Sequence, residues 1–281
     1  MSMSGNLQTP LRYLTGMLVL VGAGKMGGAL LEGWLRLGLD PARVAVIEPQ
    51  PSPAMTELTD KGLRLNPPMN DLPQPAAVVI AVKPQNAAQI MPWLAPTVQS
   101  GTVVLSIMAG KTLGFLAETL PAEAAIVRSM PNLPASIGRG ITVAVPNRHV
   151  TPSQRALADK LLMAAGGVEW VADEGLLDPV TAVSGSGPAY VFLLAESLAK
   201  AGAAAGLPPD LAMRLARATL AGAGELLERS PLDAATLRQD VTSPGGTTAA
   251  ALEVLMAEDG IDRLLRAAVA AATRRSRELA G

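Results

Sequence analysis

The chain has 281 residues, of which 49% are hydrophobic and 17% are charged, and this composition excludes an intrinsically disordered protein because it supplies enough apolar surface for a core. A net charge of -1 and an aromatic content of 2% exclude nucleic acid as a partner, since its binding depends on basic and stacking side chains. The absence of cysteine and the presence of one histidine, His149, exclude disulfides and a metal site built from these residues.

The N-terminal residues give no sign of a membrane anchor or a secretory signal. The first apolar segment, residues 17–21, is far too short to cross a bilayer, and it lacks the polar gap and cleavage pattern of a signal peptide. Residues 1–15 are expected to form a loose segment. These features predict a cytoplasmic protein without a membrane partner.

From residue 16 to residue 172, short apolar segments alternate with segments of helical periodicity. A chain of this length is expected to form two domains, because single cores stop growing at roughly 250 to 300 residues. The alternation predicts an N-terminal α/β domain with a mostly parallel sheet, and the nearly continuous apolar character of the strands is typical of burial on both faces. The predicted strands are residues 17–21, 43–47, 78–82, 102–107, 124–128, 141–145 and 168–171.

Residues 173–281 show long Ala- and Leu-rich segments with helical spacing and no convincing strand, which predicts an all-α domain. These segments carry little charge, so a monomer would expose apolar faces, and we expect them to be buried in a dimer. A self-contained helical bundle is the alternative. The predicted helices are residues 188–205, 208–230, 248–257 and 261–279.

A glycine-rich turn joins the first predicted strand to the first helix and has the sequence Gly22-Ala23-Gly24-Lys25-Met26-Gly27. In this context Gly22 permits a tight turn, Gly24 lets the backbone approach a pyrophosphate, and Gly27 lets the helix pack against the strand. The amides at the helix start would then bind phosphate. The turn predicts a Rossmann-type domain that holds a nicotinamide dinucleotide, with a purely structural glycine turn as the alternative.

The choice between NADH and NADPH stays open from the sequence. Glu48 ends the second strand, where a carboxylate would accept hydrogen bonds from the ribose hydroxyls and repel a 2′-phosphate. The prolines that follow could instead turn Glu48 aside and offer Gln50 and Ser52 to a phosphate, with Lys25 as a nearby positive charge.

Three further segments supply candidate ligands of the cofactor and the substrate. The segment Ala81-Val82-Lys83-Pro84 ends a strand at the sheet edge expected to face the nicotinamide, and a proline-enforced turn is the alternative explanation. Two prolines flank Asn132 in a loop that could bring it to the same cleft. Ser184 opens a Gly-rich segment before a long helix, which suits either an interdomain hinge or a ligand contact.

The segment between the second and third long helical patterns predicts a binding site for a small carboxylate. The backbone amides of Gly245 and Gly246 could bind the anion together with three hydroxyl groups. Helix capping alone is the alternative, but it would account for one threonine and not for the whole segment. The hydroxyl groups are those of Ser243, Thr247 and Thr248.

In this order the segments resemble the pyrroline-5-carboxylate reductases, which catalyse the last step of proline synthesis. Residues 183–190 (Val-Ser-Gly-Ser-Gly-Pro-Ala-Tyr) and 241–248 (Val-Thr-Ser-Pro-Gly-Gly-Thr-Thr) are similar to the two signatures of the family. The resemblance implies a Rossmann domain, a helical dimerisation domain with intertwined subunits, and often a ring of dimers. It also implies that NADPH or NADH is the cofactor and that 1-pyrroline-5-carboxylate binds in the loop before Thr248, which the partner subunit completes.

Two positions depart from the family pattern. The family usually has Thr where Leu133 stands, and it commonly has Thr or Ala where Met108 stands. Both positions are expected near the nicotinamide, so cofactor contacts or the range of substrates are expected to differ.

Reduction of a cyclic imine needs a hydride donor, an anchor for the carboxylate and a proton on the nitrogen. The motifs contain no conventional acid, so we expect the substrate to bind as the iminium, with orientation and electrostatics supplied by the protein. Thr248 is then the candidate catalytic residue, as a hydrogen-bonding partner of the ring nitrogen.

Two other functions remain open at this point. A reductase of a related cyclic imine carboxylate or hydroxyacid would share this N-terminal layout, and such hydroxyacid dehydrogenases place a catalytic lysine on the first interdomain helix. Lys200 is the only lysine there, and its Ala-rich surroundings indicate a solvated position. A dinucleotide-sensing protein without catalysis is the second alternative, and the carboxylate-binding segment argues against it.

Overall fold

The protein is described here from a computed structural model, in which residues 11–280 are described. The chain divides into two compact units. Within the described residues, the first unit comprises residues 11–185 and 273–280, and the second comprises residues 186–272. Of the segment predicted to be loose, residues 1–10 lie outside the described residues, while Leu11–Tyr13 form a 3-10 turn in which Leu11 is buried.

The first unit is built on one eight-stranded sheet in which each predicted strand is present. Along the sheet the order is β3-β2-β1-β4-β5-β6-β7-β8, and all neighbours are parallel except β6 and β7. The two-residue β3 was missed because so short a strand has no periodicity to detect. The strands are β1 (Met17–Val21), β2 (Val44–Ile47), β3 (Arg64–Leu65), β4 (Pro75–Ile80), β5 (Val103–Ser106), β6 (Ala125–Pro131), β7 (Gly140–Pro146) and β8 (Gly166–Trp170).

Helices cover both faces of this sheet, and this explains why its inner strands are continuous apolar runs. Alternate residues of β1 belong to two different core clusters, with Leu18 and Leu20 on one side and Val19 and Val21 on the other. The helices of this unit are α1 (Lys25–Arg36), α2 (Pro53–Glu57), α3 (Ala87–Leu94), α4 (Leu113–Thr119), α5 (Pro152–Met163) and α6 (Leu177–Val180), and α6 continues as a π-helical segment, Thr181–Gly185.

The two compact units separate after Gly185, whereas the sequence pattern placed the domain boundary after residue 172. Residues 174–185 stay with the sheet because Leu177 is buried against β7. The carboxylate of Glu174 adds polar contacts: its Oε1 accepts hydrogen bonds from the buried guanidinium of Arg128 on β6 and from the amide of Leu113, both at 2.7 Å.

Replacing Glu174 with alanine should lower the free energy of unfolding by about 2–3 kcal/mol, because it leaves the Arg128 guanidinium without its counterion. We expect a smaller effect than for a fully buried pair because the Glu174 side chain is 29% exposed. Urea denaturation at fixed protein concentration measures the change, with Glu169→Ala on the exposed surface of β8 as the control. Equal stabilities of the two variants would contradict this role.

The second unit contains α7 (Gly187–Ala204), α8 (Pro209–Arg229), α9 (Ala234–Asp240), α10 (Thr247–Leu255) and most of α11 (Ile261–Ala280). The four predicted helices are present. The short α9 was missed, although its N-terminus has a capping residue. Asp233 Oδ1 accepts a hydrogen bond from the Thr236 amide at 2.8 Å, and this bond lowers the pKa of Asp233. None of the described helices is long and apolar enough to cross a membrane.

The second unit has almost no buried core in a single copy of the chain. Within residues 186–272, all of which the structure describes, the buried residues are the three alanines Ala199, Ala212 and Ala216. Large apolar side chains are exposed instead, among them Phe192 at 60% and Leu264 at 65%. Helices with faces of this kind need another surface to cover them.

Candidate active site

The glycine-rich turn follows β1 and leads directly into α1. Gly22 has a φ angle of +87°, and a Cβ atom at this position would lie 2.7 Å from the carbonyl oxygen of Ala81. The Gly22 amide donates to the carbonyl of Ile47 at 2.8 Å, and the Ala81 amide donates to that of Val21 at 2.8 Å. The ends of β1, β2 and β4 therefore meet at this turn, and only glycine fits at its first position.

The other two glycines of the turn have opposite surroundings. A Cβ atom on Gly27 would collide with the carbonyl oxygen of Gly22, so Gly27 allows α1 to pack closely against the strand end. A Cβ atom on Gly24 would have no protein atom within 4 Å. Gly24 thus faces open space, as is needed where a diphosphate approaches the backbone.

A groove of about 540 Å³ opens at this turn. The first turn of α1 contains no acidic residue and receives no side-chain cap, so its amides are available to an anion. Open space at Gly24 and these amides together fit the diphosphate of a dinucleotide. The groove is lined by Ala23, Gly24, Lys25, Met26, Gly28, Ala29, Leu31, Glu32, Ser52, Ala54, Met55, Leu58, Leu133 and Ser136. Ser136 has no motif signal in the sequence and was missed.

Glu48 is turned toward the glycine-rich turn. Its Oε2 accepts a hydrogen bond from the Ala23 amide at 2.8 Å, and its Oε1 accepts one from the Gln50 amide at 3.0 Å. Each oxygen of the carboxylate thus accepts one backbone amide, which holds the group beside the turn. Ser52 and Lys25 line the groove instead.

The segment after β4 lies beside the turn, and its members differ in what they contact. Ala81 and Val82 pack against Gly22, where a Cβ atom would approach both of them within 3.0 Å. Lys83 is exposed and precedes the 3-10 turn Pro84–Asn86.

The two departures from the family pattern have different surroundings. Leu133 is 43% exposed and lines the groove, so it can contact a bound ligand. Met108 is 2% exposed and belongs to the core cluster on one face of the sheet. Its side chain therefore packs in the core with residues of α3 and α4, whereas the Leu133 side chain is open to a ligand.

Asn132 and Ser184 are in direct contact. Asn132 follows β6 and is the N-cap of the 3-10 turn Leu133–Ile137, which contributes Leu133 and Ser136 to the groove. Its Nδ2 donates to Ser184 Oγ at 3.2 Å, and its Oδ1 accepts from the Ile141 amide at 3.0 Å. The end of β6 is thus linked to the π-helical segment, a type of distortion that is frequent at functional sites.

In the second unit, the predicted carboxylate-binding loop immediately precedes α10. Gly245 has a φ angle of +67°, and Gly246 is the N-cap of the helix. The Gly246 amide donates to the Ser243 carbonyl at 3.0 Å, so the expectation that this amide is available to an anion is wrong. The amides at the start of α10, from Thr247 onward, receive no side-chain cap and can take that role.

Lys200, the candidate for a different chemistry, is a solvated residue of α7. Its Nζ lies 3.2 Å from Glu196 Oε1, one helical turn away, and its side chain is 75% exposed. It therefore has the surroundings of a surface ion pair. Among the described residues, no three His, Cys, Asp or Glu side chains are grouped so that they could hold a metal ion.

Two family models match the chain. Residues 174–279 match the model described as pyrroline-5-carboxylate reductase dimerisation, and residues 17–110 match one described as NADP oxidoreductase, coenzyme F420-dependent. The pyrroline-5-carboxylate reductase of Mycobacterium leprae is 40% identical over 285 residues, which is 93% of this chain and 96% of the relative. The chain belongs to the pyrroline-5-carboxylate reductase family. The pyrroline-5-carboxylate reductase of Pseudomonas aeruginosa is 36% identical, and the match covers 94% of this chain and 96% of that protein.

Solved structures of the family have the same fold. The pyrroline-5-carboxylate reductase of Coxiella burnetii superposes with a TM-score of 0.88 at 31% identity, over 95% of this chain and 100% of that protein. The Plasmodium falciparum enzyme, solved with NADP bound, gives a TM-score of 0.80 at 28% identity, over 95% and 99% of the two chains. The match to the dimerisation model confirms the predicted homodimer and accounts for the exposed apolar helices.

Proposed function

We propose that this protein is a pyrroline-5-carboxylate reductase, which transfers a hydride from NADPH or NADH to the C=N bond of 1-pyrroline-5-carboxylate and forms L-proline. One observation carries the proposal: this member of the family has both an open glycine-rich turn and a helix start without a side-chain cap, which follows a Ser-Pro-Gly-Gly loop. The first suits a dinucleotide, and the second suits a small carboxylate.

The cofactor is assigned to the groove at the glycine-rich turn. The proposed ligands are the residues predicted from the sequence, with Gly24, Lys25 and Met26 lining the groove and Gly22 and Gly27 shaping the turn. The cofactor supplies the hydride. Because the carboxylate of Glu48 is held by two amides and Lys25 adds a positive charge to the groove, we expect both NADPH and NADH to be accepted.

The substrate carboxylate is assigned to the loop before α10, with Ser243, Gly245, Thr247 and Thr248 as ligands. Gly246 acts here through the shape of the loop, since a Cβ atom there would lie 2.5 Å from Ser243 Oγ. The substrate binds as the iminium, so its nitrogen is protonated before the hydride reaches carbon. The hydroxyl oxygen of Thr248 accepts the hydrogen bond of that N–H group and orients the ring.

The function is tested by following oxidation of NADPH and of NADH in separate assays with 1-pyrroline-5-carboxylate. Six-membered and decarboxylated imines serve as comparisons. We expect rapid oxidation with the five-membered carboxylate and a large loss without the carboxylate, because the loop then has no anion to bind. A preference for the six-membered ring would identify a related imine reductase. Oxidation with none of the imines would exclude this function.

Thr248→Ala should lower kcat/KM by about 5- to 150-fold, which corresponds to the loss of roughly 1–3 kcal/mol of hydrogen bonding in the transition state. Alanine favours helix, so α10 should still form. Steady-state kinetics measures the effect. Thr248→Ser is the matched control, since it keeps the hydroxyl group, and it should retain most of the activity. Wild-type activity in the alanine variant would remove Thr248 from the mechanism.

The finer assembly and the location are also part of the proposal. We propose that dimers associate into a ring, that the partner subunit completes each substrate site, and that the enzyme acts in the cytoplasm. Sedimentation of the purified protein tests the ring, and cell fractionation tests the location. A single species with the mass of a dimer would contradict the ring.

A further inference from the structure

The side chain of Asn132 connects two segments of the first unit that are far apart in sequence. Its Oδ1 accepts the Ile141 amide at 3.0 Å, and its Nδ2 donates to Ser184 Oγ at 3.2 Å. Asn132 is only partly exposed, and it stands at the start of the turn that carries Leu133 and Ser136 into the cofactor groove. Each end of its amide group therefore makes one hydrogen bond to the protein.

The orientation of this amide group follows from hydrogen-bond chemistry. A backbone N–H group can only donate, so the Asn132 atom that faces the Ile141 amide must be the carbonyl oxygen Oδ1. The amino group Nδ2 then necessarily faces Ser184. Because Nδ2 can only donate, Ser184 Oγ must be the acceptor of this bond.

This arrangement determines what the Ser184 hydroxyl group can do. Its oxygen accepts from Asn132, so its hydrogen has to point away from Asn132. No described residue accepts that hydrogen. Ser184 lies in the π-helical segment, and its neighbour Gly185 is packed so closely on Met130 that a Cβ atom would lie 2.6 Å from Met130 Cε. The segment thus packs against β6 beside Met130, while the Ser184 hydroxyl retains one unused donor.

We propose that Asn132 is a positioning residue, which holds the Ser184 hydroxyl as a hydrogen-bond donor toward an oxygen of a bound ligand. The acceptor is an anionic or amide oxygen, and two ligands of the proposed reaction carry one: the substrate carboxylate and the carboxamide of the nicotinamide. The inference rests on the proposed function. It adds to the predicted role of Asn132, whose amide group also positions the hydroxyl group of Ser184.

The decisive variant is Asn132→Asp, which reverses the polarity of one hydrogen bond. An aspartate of nearly the same shape still accepts the Ile141 amide, but its second oxygen can only accept and therefore captures the Ser184 hydrogen. We expect kcat/KM to fall about 10- to 100-fold, as for the loss of a hydrogen bond to a polar or charged ligand. Ser184→Ala should cause a loss of similar size, because it removes the same donor.

The double variant separates positioning from a structural role. If Asn132 acts through Ser184, adding Asn132→Asp to Ser184→Ala should cause little further loss of kcat/KM. Losses that multiply, or an Asn132→Asp variant with wild-type kcat/KM, would overturn the proposal. If Asn132→Asp does not fold, the same cycle is measured with Asn132→Ala, and the same two outcomes decide it.

The kinetic constants identify the acceptor. A rise of KM for 1-pyrroline-5-carboxylate in the Ser184→Ala variant assigns the donor to the substrate carboxylate, and a rise of KM for NADPH assigns it to the nicotinamide carboxamide; either result supports the proposal. Wild-type protein is assayed in parallel, because an inactive wild type would contradict the proposed function. An active wild type with an unaffected Asn132→Asp variant would contradict only the inference.

Discussion

Gly24→Val should raise KM for NADPH by roughly 100-fold or more. A side chain at Gly24 would enter the open space of the groove, where it would displace the diphosphate from the amides at the start of α1. The expected loss of about 3 kcal/mol of binding free energy corresponds to that change in affinity. Gly24 has φ -65° and ψ -160°, just past the edge of the extended region, so thermal unfolding is measured beside KM to separate lost binding from lost stability.

A glycine in open space elsewhere provides the matched control. Gly167 is exposed on β8, where a Cβ atom would meet only Ile141 Cγ1 at 4.0 Å, and it does not line the groove. Gly167→Val should therefore leave KM for NADPH unchanged. Fluorescence titration of NADPH and steady-state kinetics measure both variants. Unchanged cofactor affinity in Gly24→Val would show that the dinucleotide does not use this turn.

Val254→Glu combined with Leu264→Glu should dissociate the homodimer. These side chains are 73% and 65% exposed in a single copy of the chain and belong to the matched dimerisation domain. Burying each apolar side chain contributes about 1.5–3 kcal/mol, and a symmetric dimer loses each contribution twice. The added carboxylates also resist burial. We expect the dissociation constant to rise by at least about 1,000-fold, together with a loss of reductase activity.

Sedimentation velocity over a range of protein concentrations measures this dissociation. Ser153→Glu, at an exposed position of α5 in the first unit, adds a charge without removing an apolar surface and should sediment like the wild type. If the double variant also sediments like the wild type, these two side chains do not lie in the subunit interface.

The strands and long helices could be predicted because their signals are local. Residues 17–21 are all apolar and are all buried in β1, and the prolines at 188 and 209 lie at the starts of α7 and α8. Short elements were harder to predict from the sequence, because they offer few residues with a periodic pattern. The sequence pattern missed α9, whose main signal is one capping aspartate. The contacts of Leu177 and Glu174 that attach residues 174–185 to the sheet have no local signal either.

Some features of the candidate site could be predicted from local sequence, and others could not. Which glycines form the cofactor turn follows from their spacing, since each position has a backbone requirement of its own. The hydrogen-bond partner of Glu48 could not be predicted from spacing, because its carboxylate could reach either a ribose or the Ala23 amide, 25 residues away in sequence. The burial of Met108 was also missed, because a residue just after a strand can face a cleft or the core with equal ease.

By itself the sequence determined the class of fold, the position of the glycine-rich turn and the family, since all three depend on residues that are close together along the chain. Only the tertiary structure decided that Glu48 is held by backbone amides, that Gly246 uses its amide within its own loop, and that Asn132 binds Ser184, 52 residues away. These are choices among competing hydrogen-bond partners. They are settled when the register of the strands and the path of the loops bring one donor and one acceptor within about 3 Å of each other.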